Sequence, residues 1–287
     1  MRPAAAEPFF RVPGVQLTRV GSSDVHYQID GDPRLPWLVL SHGLGLDLTM
    51  WAPQIAALAR RFRVLRYDTR GHGASTVPAT PTDIEQLGRD VITLFDHLGI
   101  ERAHFCGFSM GGIIGIWLGI HAPARIDRLV LAHTAARIGP VSMWNERIAT
   151  VETHGIQAIS DVAMRRWFTS AFIARQPEIV GELKRAMERN DARGYVYCCA
   201  AIRDADFRGR LDAIRSPTLV LSGARDAATT SVDADHLQRR IAGARRIELD
   251  AAHLSNYEMP DEFTGALLDF LGAARIEHPA IRSTAAP

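Results

Sequence analysis

The chain has 287 residues, 47% hydrophobic and 23% charged, and its 33 basic residues (almost all Arg) and 32 acidic ones leave a formal net charge of +1. That length suits one large domain, or a domain with an insertion, around a sizeable core, and the balanced charge excludes a basic footprint for nucleic acid. Three cysteines, Cys106 and the adjacent Cys198 and Cys199, make neither a C-x-x-C motif nor a disulfide framework, which points to a reducing compartment.

Residues 1 to about 14 are rich in Pro and Ala and are expected to fray. Arg2 and Arg11 stand there among small residues with no apolar core, so no signal peptide is expected and a cytoplasmic location is. Val15 to Val20 and Val25 to Ile29 alternate in polarity around Gly21-Ser22-Ser23-Asp24, the pattern of a hairpin at a sheet edge. Trp37 to Leu40 is a continuous apolar run that predicts a strand buried on both faces, and it opens into the loop Ser41-His42-Gly43-Leu44-Gly45. A helix is predicted over Met50 to Arg61 and a strand over Arg63 to Tyr67, closing in Asp68-Thr69-Arg70-Gly71-His72-Gly73. Thr82 and Glu85 have the spacing of a capping box. Behind them run Ile84, Leu87, Val91, Leu94, Phe95 and Leu98 at helical spacing, and Gly99 marks the stop.

The next segment organises the chain. A short apolar run, Ala103 to Phe105, leads into Cys106-Gly107-Phe108-Ser109-Met110-Gly111-Gly112 and then into glycine-studded apolar residues up to Ile120. A strand that ends in G-x-S-x-G and turns directly into a helix puts its serine on a tight bend with the hydroxyl exposed, while Gly107 and Gly111 give room for the backbone to double back. The uncharged run between His104 and His121 is too short and too rich in glycine for a membrane span, and reads as a buried strand followed by a buried helix.

A further strand is predicted at Leu129 to Ala132. From 135 to 206 the pattern changes to helix-like segments rich in Arg, Trp and Met, which suggests an inserted helical cap; strands resume at Thr218 to Leu221 and Arg246 to Leu249, and a helix follows at about Asp261 to Leu271. Strands alternating with helices predict an α/β fold with a mostly parallel sheet flanked by helices. The expected division is a core of 15–134 and 207–272, a cap of 135–206, and flexible termini at 1–14 and 273–287.

Ser109 as a nucleophile needs a base, and the base needs an orienting acid. Asp226 lies just beyond the strand at Thr218 to Leu221, and His253 just beyond the strand at Arg246 to Leu249. The chain order Ser, Asp, His is that of α/β-hydrolases. The backbone N–H groups of Met110, at a helix start, and of Leu44 are the candidate oxyanion donors. Plainer readings stand beside these: Ser109 as a small packing residue, Asp226 as a helix cap, and His253 as one of eleven histidines. His42 and His72 are expected to shape their loops, Asp68 to organise its own, and Cys106 to pack as a hydrophobe. The chain has no H-E-x-x-H, no paired Cys site and no phosphate-cradling loop, so neither metal nor cofactor is expected.

From about residue 24 to 272 the sequence resembles the α/β-hydrolase superfamily, and more narrowly its 3-oxoadipate enol-lactonase branch. The narrower resemblance is carried by Thr134-Ala135-Ala136-Arg137-Ile138-Gly139, Trp144-Asn145, Arg166-Trp167-Phe168-Thr169, Gly194-Tyr195, Cys199-Ala200-Ala201-Ile202 and Ala252-His253-Leu254-Ser255-Asn256-Tyr257-Glu258. It departs from that pattern at His133, where Asn is expected, and in lacking a Pro after Thr229. The resemblance implies an eight-stranded sheet, a helical cap, and lactone hydrolysis in the β-ketoadipate pathway of aromatic catabolism, through an acyl enzyme on Ser109. A decarboxylase of the kind fused to the C-terminus of some relatives is not expected here. The lactone of that pathway carries a free carboxylate, and Arg137 and Trp144 are the candidates to line its pocket. A small-molecule lactone is thus the expected partner, with no nucleic acid and no membrane; association into a homo-oligomer stays open. Other esterase, perhydrolase or carbon–carbon hydrolase chemistry is the alternative, and a non-catalytic receptor on the same fold is the third reading.

Overall fold

A computed structural model describes residues 16–20 and 23–272. The flexible termini expected at 1–14 and 273–287, and Gly21 and Ser22 of the hairpin turn, lie outside the described residues. Eight strands form one sheet: β1 (Gln16–Val20), β2 (Ser23–Asp30), β3 (Trp37–Ser41), β4 (Arg63–Tyr67), β5 (Ala103–Phe108), β6 (Ile126–Ala132), β7 (Thr218–Gly223) and β8 (Arg245–Leu249). Their spatial order is β1-β2-β4-β3-β5-β6-β7-β8; β2 runs antiparallel to both of its neighbours, and the pairings from β4 onward are parallel. The central strands are buried on both faces, which is why Leu38–Leu40 and Leu129–Ala132 appear as unbroken apolar runs. β8 closes one edge with the charged, partly exposed Arg245, Arg246 and Glu248, a composition that discourages pairing with another chain.

Helices α1 (Ala52–Leu58), α2 (Ile84–His97) and α3 (Met110–His121) connect the first parallel strands. Two local expectations shift. The segment predicted as one helix from Met50 splits into a 3-10 turn, Leu48–Trp51, capped by Asp47, and α1, which carries Pro53 in its first turn where a missing N–H is harmless. The cap of α2 is Asp83, whose carboxylate accepts from Gln86 N at 2.7 Å, rather than Thr82, whose buried hydroxyl has no hydrogen bond. The apolar stripe of α2 still faces the core, because the stripe rather than the cap sets which side is buried. α3 is buried around almost its whole circumference, in keeping with its lack of charge.

Between β6 and β7 the chain forms five α-helices, α4 (Val141–His154), α5 (Gln157–Trp167), α6 (Ser170–Arg175), α7 (Pro177–Glu188) and α8 (Ala192–Asp204), then a 3-10 turn at Leu211–Ala213, and no strand. α9 (Ser231–Arg240) then links β7 to β8, and α10 (Ser255–Glu258) and α11 (Pro260–Leu271) follow. No helix among the described residues is long and apolar enough to cross a membrane.

Candidate active site

Ser109 is the single residue between the end of β5 and the start of α3, and its backbone is left-handed, at φ 54° and ψ −109°. A non-glycine residue holds that conformation only where its surroundings impose it. Here the Ser109 amide donates to Ala132 O at 2.9 Å, and the Thr134 hydroxyl donates to Ser109 O at 2.7 Å. The flanking glycines make the bend possible: a Cβ on Gly107 would lie 2.0 Å from Gly111 O, and one on Gly111 would lie 2.3 Å from Ser41 O.

Asp226 and His253 follow β7 and β8, adjacent parallel strands, so the two loops emerge side by side. His253 Nδ1 donates to Asp226 Oδ2 at 2.7 Å. That carboxylate is densely satisfied. Oδ1 accepts from Ala228 N (2.7 Å) and Thr229 N (3.0 Å), and Oδ2 also accepts from Thr229 Oγ1 (2.9 Å) and His133 Nδ1 (2.9 Å). Burial opposes ionisation of Asp226, but the charge and hydrogen bonds of the two imidazoles outweigh it and hold the group well below the usual carboxylate range. Among the described residues, His133, Asp226 and His253 form a group of potential metal ligands with atoms within 4.8 Å of one another. Both Nδ1 atoms are engaged by the carboxylate itself, so internal hydrogen bonds account for that cluster.

Ser109 and His253 line one cavity together with Gly43, Leu44 and Phe108. The amides around the candidate oxyanion donors are occupied. Gly43 N meets Met50 Sδ (3.5 Å), Gly45 N donates to His72 Nε2 (3.0 Å), Gly111 N to His42 O (3.1 Å), and Gly112 N to Ser109 O (2.9 Å). The amides of Leu44 and Met110 carry no such bond among the described residues. The neighbouring histidines hold this loop: His42 Nδ1 donates to Gly43 O and its Nε2 accepts from Thr69 N, both at 2.8 Å. Asp68 accepts from Leu48 N (2.7 Å), Ala74 N (2.9 Å) and His26 Nδ1 (2.7 Å), tying the β4 loop to the β3 loop. Cys106 is buried in β5, and burial pushes its thiol far up, away from thiolate character.

The helices after β6 supply the rest of the wall, including Trp144, Arg147, Arg166 and Trp167. Trp144 donates its Nε1–H to Ile138 O at 2.6 Å. Arg137 does not line the cavity: it precedes α4, is about a third exposed and faces Asp206 at 3.6 Å. The arginines that do line the cavity are Arg147, which donates to Tyr195 OH (3.3 Å) and lies 5.3 Å from the Trp144 ring, and Arg166, which donates to Ala227 O (3.2 Å). Neither forms an ion pair with a carboxylate among the described residues. Arg147 was legible in principle, since it stands three residues after Trp144 and shares its face of α4. His133 carried no local signal for its bond to Asp226.

Comparison with known proteins places the chain in a family. Residues 36–150 match the family described as alpha/beta hydrolase fold. The chain is 44% identical to 3-oxoadipate enol-lactonase 2 of Acinetobacter baylyi, over 85% of this chain and 91% of that protein. It is 38% identical to 3-oxoadipate enol-lactonase 1 of the same organism, over 87% and 93%. The crystal structure of the enol-lactonase from Burkholderia xenovorans LB400 superposes with a TM-score of 0.89 at 46% identity, covering 90% of this chain and all of that one. The chain belongs to the α/β-hydrolase family, alongside its 3-oxoadipate enol-lactonases.

Proposed function

We propose that this protein hydrolyses 3-oxoadipate enol-lactone to 3-oxoadipate, with Ser109 as nucleophile, His253 as general base and Asp226 as its orienting acid. The observation that carries the substrate assignment is the pair of guanidinium groups, Arg147 and Arg166, which share the cavity of Ser109 and have no carboxylate partner among the described residues. A small lactone bearing one carboxylate supplies the missing anion. The receiving cation is thus assigned to Arg147 and Arg166 in place of Arg137, while Trp144 forms part of the wall.

In the first step Ser109 Oγ attacks the lactone carbonyl as His253 Nε2 takes its proton, and Asp226 stabilises the imidazolium through Nδ1. The amides of Leu44 and Met110 receive the negative oxygen, each such donor contributing about 2.7 to 4 kcal/mol. The ring C–O bond then breaks, and the leaving enol oxygen takes the proton from His253 and relaxes to a ketone. Water, deprotonated by His253, attacks the acyl-Ser109 ester and releases the diacid. Helices α4 to α8 act as a cap that selects the substrate, the β-strand framework remaining the catalytic core.

Turnover of the enol-lactone measured beside p-nitrophenyl acetate tests this reading. A kcat/KM higher by orders of magnitude for the lactone is expected; a preference for the simple ester would sink the substrate assignment and leave a general esterase.

A further inference from the structure

His133 follows β6 directly and holds a left-handed backbone, φ 48°, which only Ser109 shares among the described non-glycine residues. Its side chain is buried and fully engaged. Nδ1 lies 2.9 Å from Asp226 Oδ2, Nε2 lies 2.6 Å from Ser255 Oγ, and the ring stacks on Phe108 with centroids 5.0 Å apart and planes 22° apart. It meets His253 edge-on at 5.5 Å, yet it does not line the cavity, so it contacts the acid and the base without facing the substrate.

Burial favours the neutral ring, and its contacts fit one tautomer. Nδ1 faces an ionised carboxylate and must donate, and Nε2 then accepts from the Ser255 hydroxyl, which is the pattern of a neutral ring. The charged and titratable groups around it are Asp226 from the β7 loop, His253 from the β8 loop and Glu258 from α10. Burial disfavours a second proton on His133 against the pull of Asp226. Asp226 Oδ2 accordingly accepts from His253, His133 and Thr229 at once.

We propose that His133 is a positioning residue that fixes Asp226 against His253 and, through a second N–H···O bond on the same oxygen, draws off part of the carboxylate charge that would otherwise face His253 alone. The inference rests on Ser109, Asp226 and His253 acting as a catalytic triad. A carboxylate shared by two rings stabilises the His253 imidazolium less than one serving a single ring. Removing the His133 donor returns that charge to His253 and moves the acidic limb of activity to higher pH.

His133→Phe keeps a flat ring against Phe108 and deletes both hydrogen bonds, whereas His133→Asn restores a donor toward Asp226. In the pH profile of kcat/KM, the acidic limb of His133→Phe is expected to move up by about half a unit or more, with kcat lowered several-fold and KM nearly unchanged. His133→Asn is expected to return the limb toward wild type. An unmoved limb in His133→Phe, with only thermal stability lowered, overturns the proposal. If that variant does not fold, nitrogen-15 NMR of the wild-type imidazoles decides: a neutral Nδ1–H tautomer for His133 between about pH 6 and 9 is expected, and an Nε2–H tautomer or a titration in that range overturns it. Asp226→Asn is assayed in parallel. Little loss there removes Asp226 from the orienting role on which the inference rests, whereas a large loss there with an unmoved limb in His133→Phe defeats only the role of His133.

Discussion

Ser109 turns the chain from β5 into α3 within one residue, and the left-handed backbone this requires costs on the order of 1–3 kcal/mol, offset by the packing around it. Such strain is retained where it aims a side chain, and here it sets the hydroxyl on the cavity wall shared with His253. Two outcomes test roles at this scale. Asp226→Asn keeps the shape of the carboxylate but favours the wrong tautomer of His253, and kcat is expected to fall about ten-thousandfold; a loss of only a few-fold, measured with the lactone, would assign the orienting role to another acid. Arg147→Ala removes a charge-assisted bond of about 1.5–3 kcal/mol, so kcat/KM for the carboxylate-bearing lactone should drop roughly ten- to a hundredfold. Hydrolysis of neutral p-nitrophenyl acetate should hardly change, and an equal drop on both substrates would make Arg147 a structural residue.

Helix caps and crossing points are local, and their energies are correspondingly separable. Asp83→Ala deletes the cap of α2 and is expected to lower stability by about 1 kcal/mol in denaturant titration. Thr82→Ala removes a hydroxyl that has no hydrogen bond and should cost clearly less; the reverse ranking would return the cap to Thr82. Gly111→Ala places a methyl group 2.3 Å from a backbone oxygen of Ser41, which cannot move without displacing β3. A loss of at least about 1–3 kcal/mol is expected, and a neutral result would show that the elbow tolerates a wider crossing. The strands and helices themselves were legible because apolar runs and helical periodicity are properties of contiguous residues. The cap of α2 was misplaced by one position because Thr82 and Asp83 are both good capping residues, and only the direction of the incoming chain selects between them.

The molecule as a whole buries three histidines whose folded forms resist protonation. Burial lowers His42 and His133, and burial followed by the nearby His42 charge lowers His72 to about 3 from an ordinary value of 6.5. Each group binds a proton more readily in the unfolded chain, so each costs stability as pH falls below about 6.5, by up to about 1.4 kcal/mol per pH unit. Asp226 and Asp68 have the opposite kind of shift: for both, burial opposes ionisation but partner imidazoles hold the carboxyl below its ordinary 3.8, so their stabilisation is lost only as pH falls further. Denaturant midpoints are therefore expected to fall between pH 7 and 5 and to fall again below about 4. A flat midpoint from pH 7 to 5 would mean that the three rings take up protons as readily in the folded state as in the unfolded chain.

The sequence by itself determined the order of strands and helices, the serine between a strand and a helix, and the acid and histidine just past two later strands. Each of these is written in residues adjacent along the chain, where patterning, turn chemistry and motif spacing operate. Only the tertiary structure decided that Arg147 and Arg166 rather than Arg137 line the cavity, and that His133 shares the carboxylate of Asp226. Which face of a helix between β6 and β7 turns inward depends on how α4 packs against α5 and α8. Likewise, β6 and the β7 loop meet at Asp226 across 93 positions of chain, a proximity created by the parallel pairing of the strands and absent from any local stretch of residues.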